Sequence, residues 1–169
     1  LAARGWLEPW DSVQVYSQTA GRGQLRRQWH SPVGNLYAAL RLPMVPPFDG
    51  TAAAPAVGAL LAGALAHEGL QVRLKWPNDL VVFGADNGPD DGPDNGPDKG
   101  PRKVAGILLE ERGGVLLAGI GINVCWAPPA EQMRADAALE ATCLKKLHKS
   151  VAIVHYTAEA LWQTLVKRM

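Results

Sequence analysis

The stretch VAGILLEERGGVLLAGIGINV, Val104 to Val124, decides how the rest of the chain is read. Val104 to Glu110 and Val115 to Ala118 are apolar runs too short for helices, and Gly113-Gly114 between them carries turn chemistry. The pattern predicts a β-hairpin. Gly119 to Val124 continues the second strand. Glycines inside a strand, here Gly119 and Gly121, mark a bulge or a place where something comes close to the backbone.

Working outward, more strands appear. Gln71 to Trp76 alternates strictly, as a half-buried strand does; Pro77-Asn78-Asp79 breaks it, and Leu80 to Phe83 forms a short strand. Val13 to Ser17 and Asn35 to Leu42 read as two further strands, the second stopped by Pro43, Pro46 and Pro47. From Pro55 the period changes: Val57, Leu60, Leu61, Ala64 and Leu65 fall at helical spacing and Gly69 closes the helix. Its other positions are mostly Ala and Gly, which let a helix lie close on a sheet. Leu161, Trp162, Leu165 and Val166 form the stripe of a C-terminal helix with Thr157 as its N-cap. Leu1 to Gly5 reads as a last helical turn with Gly5 as C-cap. Residues 130–149 show no clear pattern. The sum is an α+β fold, a mostly antiparallel or mixed sheet packed with about three helices.

A chain of 169 residues, 47% of them apolar, is one domain with enough material for a core. Residues 84–102, GADNGPDDGPDNGPDKGPR, have no side chain able to build that core and read as a flexible, solvated low-complexity insertion. A formal net charge of +1 gives no global attraction to nucleic acid or an anionic membrane. The uncharged run Thr51 to Ala66 is shorter than the roughly 20 residues a membrane span needs. Cys125 and Cys143 match neither a secreted disulfide framework nor a zinc spacing. No secretory signal is read at the start, so a cytoplasmic protein is expected.

The chemistry concentrates between Ala20 and Leu36, AGRGQLRRQWHSPVGNL. Gly21 and Gly23 flank Arg22 and suit a tight turn with exposed N–H groups. Arg22, Arg26 and Arg27 supply cations whose forked geometry suits phosphate or carboxylate. Trp29 offers a flat surface for a base. A solvated basic turn is the bland alternative. Three more stretches put polar or glycine residues at strand ends: Lys75 to Asp79, Lys103 to Gly106 and Gly119 to Asn123. Lys103 suits stabilisation of charge on a carboxylate attacking phosphorus, or is an exposed hairpin lysine. Asn78 and Asp79 suit an Asx-turn as well as a site. No G-x-S-x-G elbow and no Walker loop occur, and His30, His67, His148 and His155 do not cluster at metal spacing.

Taken in order, GRGxxxRxWxSPxGNL, KWPND, KVAGILLE and GIGINV resemble the biotin–protein ligase family, from about Gln18 to Val124 and loosely onward to the C-terminal helix. The resemblance implies a class II synthetase-like catalytic domain of the biotin–lipoate ligase kind. It implies that the carboxylate of biotin attacks the α-phosphate of ATP, giving biotinyl-5′-AMP, and that a lysine of a biotin carrier domain, such as that of acetyl-CoA carboxylase, then takes the biotinyl group. Carried over to matching positions, Arg22 and Lys103 would be the catalytic residues. Gln18, Gly21, Arg22, Gly23, Gln24, Lys103 and Gly106 would bind biotin and its adenylate. Trp29 would stack on adenine, with Asn78, Asp79 and Asn123 on the ATP side and Lys75 shaping the floor. Asn123 would lie near Mg²⁺ held by the phosphates. A homodimer through the sheet is a family habit. Neither DNA nor membrane is an expected partner.

The sequence also departs from that family. The usual GRGR reads GRGQ, with Gln24 in the last place. A Ser/Thr-Thr-Asn stretch upstream of the loop would fall before Leu1, and no DNA-binding helix-turn-helix or C-terminal β-barrel domain is read. A crippled or non-catalytic binder, and a lipoate or octanoate ligase, are the competing readings; KWPND and GIGIN speak against the last. Because Gln24 cannot pair bidentately with phosphate, Gln24→Arg is expected to slow release of the adenylate, corresponding to roughly 1–3 kcal/mol for a regained charged hydrogen bond. An unchanged off-rate removes that role from Gln24.

Overall fold

The computed structural model describes residues 5–83, 100–133, 139–147 and 156–169. The helical turn expected over Leu1–Arg4, most of the 84–102 insertion, and His148 and His155 lie outside these residues. Six strands form one sheet: β1 (Ser12–Val15), β2 (Leu36–Leu42), β3 (Arg73–Lys75), β4 (Asp79–Val82), β5 (Arg102–Arg112) and β6 (Val115–Ile122). Their order is β1-β2-β6-β5-β4-β3, and all five neighbouring pairs are antiparallel. Two α-helices are found among the described residues, α1 (Ala53–His67) and α2 (Ala158–Val166). The expected hairpin is β5–β6, with both Gly113 and Gly114 at positive φ (58° and 75°) in its turn.

Alternation divides the sheet into two faces. On β6, Leu116, Ala118, Ile120 and Ile122 are buried, and on β2, Leu36, Ala38, Leu40 and Leu42; all belong to the core beneath the helices. Helix α1 packs on β3, β4 and β5, and α2 packs on β2 and α1. The small residues of α1 act as expected, since a Cβ added at Gly58 would come within 2.6 Å of Leu74 Cδ1. Thr157 caps α2 by accepting from the Ala160 N–H at 3.2 Å. The helix is tied on by Trp162 Nε1, which donates to Ser12 Oγ, and by Tyr156 and Arg168, which both donate to the Glu68 carboxylate. Among the described residues, no helix is long and apolar enough to cross a membrane.

Three features differ from the sequence reading. Arg102, counted above with the insertion, is buried and opens β5, opposite Val82. The strand over Gln71 to Trp76 contracts to Arg73–Lys75, an edge strand with a partner on one side only among the described residues. The β4–β5 ladder also slips: Leu80 faces Ala105 but Val81 faces Lys103, leaving Val104 as the extra residue of a β-bulge. Beyond the bulge, Ala105 and Ile107 point into the core while Gly106, Leu108 and Glu110 point to the open face. Before it, Val104 is buried and Lys103 is turned to the open face.

One buried side chain joins the segments around this face. Asn35, 1% exposed, accepts at Oδ1 from the backbone N–H groups of Val124 (3.0 Å), Cys125 (2.9 Å) and Trp126 (3.0 Å) and donates from Nδ2 to the Trp126 carbonyl. Removing it takes the shared acceptor from three donors, of which Val124 is buried, Trp126 half-buried and Cys125 exposed. Asn35→Ala is expected to lower unfolding free energy in urea by about 1–3 kcal/mol, the cost of one unsatisfied buried donor, with Asn35→Asp losing less because it keeps the acceptor.

Candidate functional site

The Gly–Arg loop folds back over the open face as an irregular hairpin. Bridges pair Gln18 with Ser31 and Arg22 with Gln28, and the Trp29 N–H donates to the Gly21 carbonyl at 2.9 Å. The Ser31 hydroxyl donates to Gln18 Oε1 at 2.8 Å. The glycines work differently from the tight turn expected of them. Positive φ is taken by Leu25 (56°) and Arg26 (58°) in the single 3-10 turn Gln24–Arg26, not by Gly21 or Gly23. Gly21 is required for closeness: a Cβ there would lie 2.4 Å from the Trp29 carbonyl oxygen and 2.6 Å from Ser31 Oγ.

Trp29 lies flat on glycine. A Cβ on Gly121 would meet the indole at 2.8–2.9 Å and one on Gly106 at 3.2 Å, and the two glycines are cross-strand neighbours in register. The close approach expected inside the strands is therefore the indole. Its Nε1 is buried and has no hydrogen-bond partner among the described residues. Lys103 Nζ stands 5.0 Å from the ring centroid and 2.6 Å from Asp79 Oδ1. The Lys75 ammonium is 4.0 Å from the other oxygen, Asp79 Oδ2. Asn78 is nearly buried and bridges to β5, donating from Nδ2 to the Ile107 carbonyl while its own carbonyl accepts from the Ile107 N–H.

Two cavities of similar size meet at this point. The first, about 510 Å³, lies over the sheet with Gln18, Arg22 and Gly23 on one wall and Lys103, Gly106 and Gly121 on the other. The second, about 520 Å³, lies beside the KWPND turn and includes Gln24, Arg27, Lys75, Asn78, Asp79 and Asn123. Trp29, Lys103, Asn78 and Gly23 belong to both walls, so the indole and the ammonium stand on the partition. Asn123 is buried, and its Nδ2 donates to the Thr142 carbonyl, tying the 139–147 segment to the end of β6. Arg26 is exposed and lines neither cavity. Among the described residues, no three His, Cys, Asp or Glu side chains come together as a metal cluster.

Sequence reasoning passed over Tyr37 and Asn35. Tyr37 floors the first cavity, buried, with its hydroxyl donating to the Pro32 carbonyl at 2.9 Å. Burial pushes this phenol up to about 12, so it stays a neutral donor. A polar tip in the mostly apolar strand LYAALRL is its sequence signal. Asn35 sits inside the SPVGNL run but had no assigned role.

Known proteins place the geometry in context. The family model described as biotin/lipoate A/B protein ligase family matches residues 7–125. The chain is 35% identical over 120 residues to the bifunctional ligase/repressor BirA of Bacillus spizizenii, covering 66% of this chain and 32% of that protein. It is 32% identical over 131 residues to the biotin–[acetyl-CoA-carboxylase] ligase of Paracoccus denitrificans, covering 70% of this chain and 46% of that one. The structure of the biotin protein ligase from Aquifex aeolicus in complex with biotin and ATP aligns with a TM-score of 0.65 at 26% identity, over 99% of this chain and 62% of the other. The matched region thus spans 32% and 46% of the length of these two curated relatives.

The partition gives a direct test. Gly121→Ala is expected to lift the indole from the sheet and change the near-ultraviolet circular dichroism, and the change should vanish in a Trp29→Phe background. A spectrum unaltered by Gly121→Ala contradicts the contact.

Proposed function

The chain belongs to the biotin/lipoate A/B protein ligase family, and from that premise we propose that it joins biotin to a lysine of a biotin carrier domain through biotinyl-5′-AMP, at the expense of ATP. The observation that carries this reading is the pair of cavities meeting at Lys103 and Trp29. Two substrates that must react need separate pockets and one shared wall, with a cation where the reacting atoms meet.

In the first half-reaction a biotin carboxylate oxygen bonds to the α-phosphorus of ATP, the bond to the bridging oxygen of the β-phosphate breaks, and pyrophosphate leaves. Such displacement needs positioning and charge neutralisation more than an acid or base. Lys103, held at 2.6 Å by Asp79, is the preorganised ammonium for that charge, and Arg22 faces the same cavity from the loop. Trp29 offers its surface to adenine in the second cavity, where Gln24, Asn78, Asp79 and Asn123 also stand. In the second half-reaction a neutral carrier lysine attacks the anhydride carbonyl, the amide forms and AMP departs. A loop closed over the adenylate keeps water from reaching it first.

Mg²⁺, when bound, neutralises charge on the ATP phosphates. Such ions are usually held by one or two protein oxygens plus substrate phosphates, and Asn123 would supply an oxygen from that cavity's wall. Both cysteines are free, which suits a reducing cytoplasm.

Labelled ATP, Mg²⁺ and either biotin or lipoate, with pyrophosphate release as readout, test the reading. Release is expected with biotin alone. Release with lipoate alone identifies the other acid as substrate, and no release with either identifies a binder without turnover. Lys103→Gln is expected to cut biotin-dependent release about 10²–10³-fold, the size of losing one preorganised charge-stabilising donor, while an undiminished rate removes Lys103 from the chemistry.

A further inference from the structure

The first cavity carries charge at Arg22 and Lys103 and again at Glu110, with mostly apolar and glycine positions of the strands between Gly106 and Glu110. Arg22 and Lys103 stand at the end beneath the loop, and the opposite end holds Glu110, the one carboxylate on the wall. Between them the floor is Leu108, Leu117 and Gly119, with Val13 alongside. The bulge at Val104 produces this alignment, since it leaves Lys103, Gly106, Leu108 and Glu110 on the same face. Gly106 to Glu110 is four residues of extended strand, about 13 Å. That spacing matches an elongated acid with its carboxylate at one end and a hydrogen-bond donor at the other.

The Glu110 side chain makes no hydrogen bond or ion pair among the described residues. Its register row runs through Leu117 to Arg41, whose guanidinium is already engaged by the Leu7 carbonyl and lies 4.0 Å from the Glu8 carboxylate. The neighbouring cation is therefore occupied elsewhere, and the Glu110 carboxylate is left facing the groove.

We propose that Glu110 is a specificity-determining residue whose carboxylate accepts from N–H donors on the head of the acid substrate while Lys103 holds the substrate's own carboxylate. The inference rests on the biotin reading above and deepens it. Biotin ends in a ureido ring with two N–H groups, whereas lipoate ends in a dithiolane and octanoate in a methyl group. A head without donors would cover the carboxylate and give nothing back, so Glu110 acts by attraction toward one acid and by penalty against the others.

Calorimetric titration of wild type, Glu110→Gln and Glu110→Leu with biotin and with lipoic acid tests this. Glu110→Leu is expected to weaken biotin about tenfold, the effect of one hydrogen bond to a charged group at a solvated site, and to strengthen lipoic acid. Glu110→Gln keeps one acceptor oxygen, holds the same shape at an exposed strand position, and should fall between the two. Biotin affinity within twofold of wild type in both variants overturns the role of Glu110 and leaves the biotin reading standing. A wild-type protein that binds lipoic acid more tightly than biotin, or binds neither, overturns the biotin reading and the inference together.

Discussion

One extra residue in one strand governs the open face of this sheet. Side chains on a strand alternate, so Lys103, three residues before Gly106, belongs by parity among the core side chains. A lysine there would have to bury its ammonium beneath the helices, at a cost no nearby partner offsets. The bulge at Val104 removes the conflict. Val104 goes inward in its place, and Lys103 comes to lie over Gly106, against Asp79 and beside the indole. The ion pair, the partition between the cavities and the alignment of the groove all follow from that local slip.

Much of this was legible in advance because it depends on local chemistry. The β5–β6 hairpin follows from two apolar runs and a Gly-Gly turn, α1 from its period, and the α2 cap from Thr157. Of the two glycines within β6 that announced a close approach, Gly121 meets Trp29, whereas Gly119 meets only Leu108 of the neighbouring strand. Residues 103, 22 and 29 were singled out from spacing and family resemblance, and they do converge on the same cavity. The illegible parts involve pairings between distant segments. Nothing in KVAG marks a bulge, because the slip is defined by which residue of β4 stands opposite. Asn35 reads only as the start of a strand until the chain at 124–126 is laid beside it. Gly21 was read for the freedom of its backbone, whereas it is needed because Trp29 and Ser31 leave no room for a side chain.

The two cavities differ in how they are built. The first has a rigid floor: paired strands with small residues at Ala39, Gly106, Gly119 and Gly121. The second borrows its walls from connections, the KWPND turn and the 128–141 segment. Both share a roof, the loop anchored at its base by the Gln18–Ser31 and Arg22–Gln28 bridges. Its tip carries Leu25 and Arg26 in left-handed geometry, costing of order 1–3 kcal/mol each. Favourable contacts for that tip are few, since Leu25 is 84% exposed. A rigid floor beneath a strained roof lets the shape of the site be set by the sheet and its access by the loop.

Both helices pack on a single side of the sheet, and this has an evolutionary consequence. On β6, neighbouring codons answer to different selective demands: Leu116, Ala118, Ile120 and Ile122 keep the domain assembled, whereas Leu117, Gly119 and Gly121 line the first cavity. Drift at the second set can remodel what is recognised without loosening the first. An architecture that segregates durability from selectivity by odd and even positions can be retuned to a new small molecule one substitution at a time.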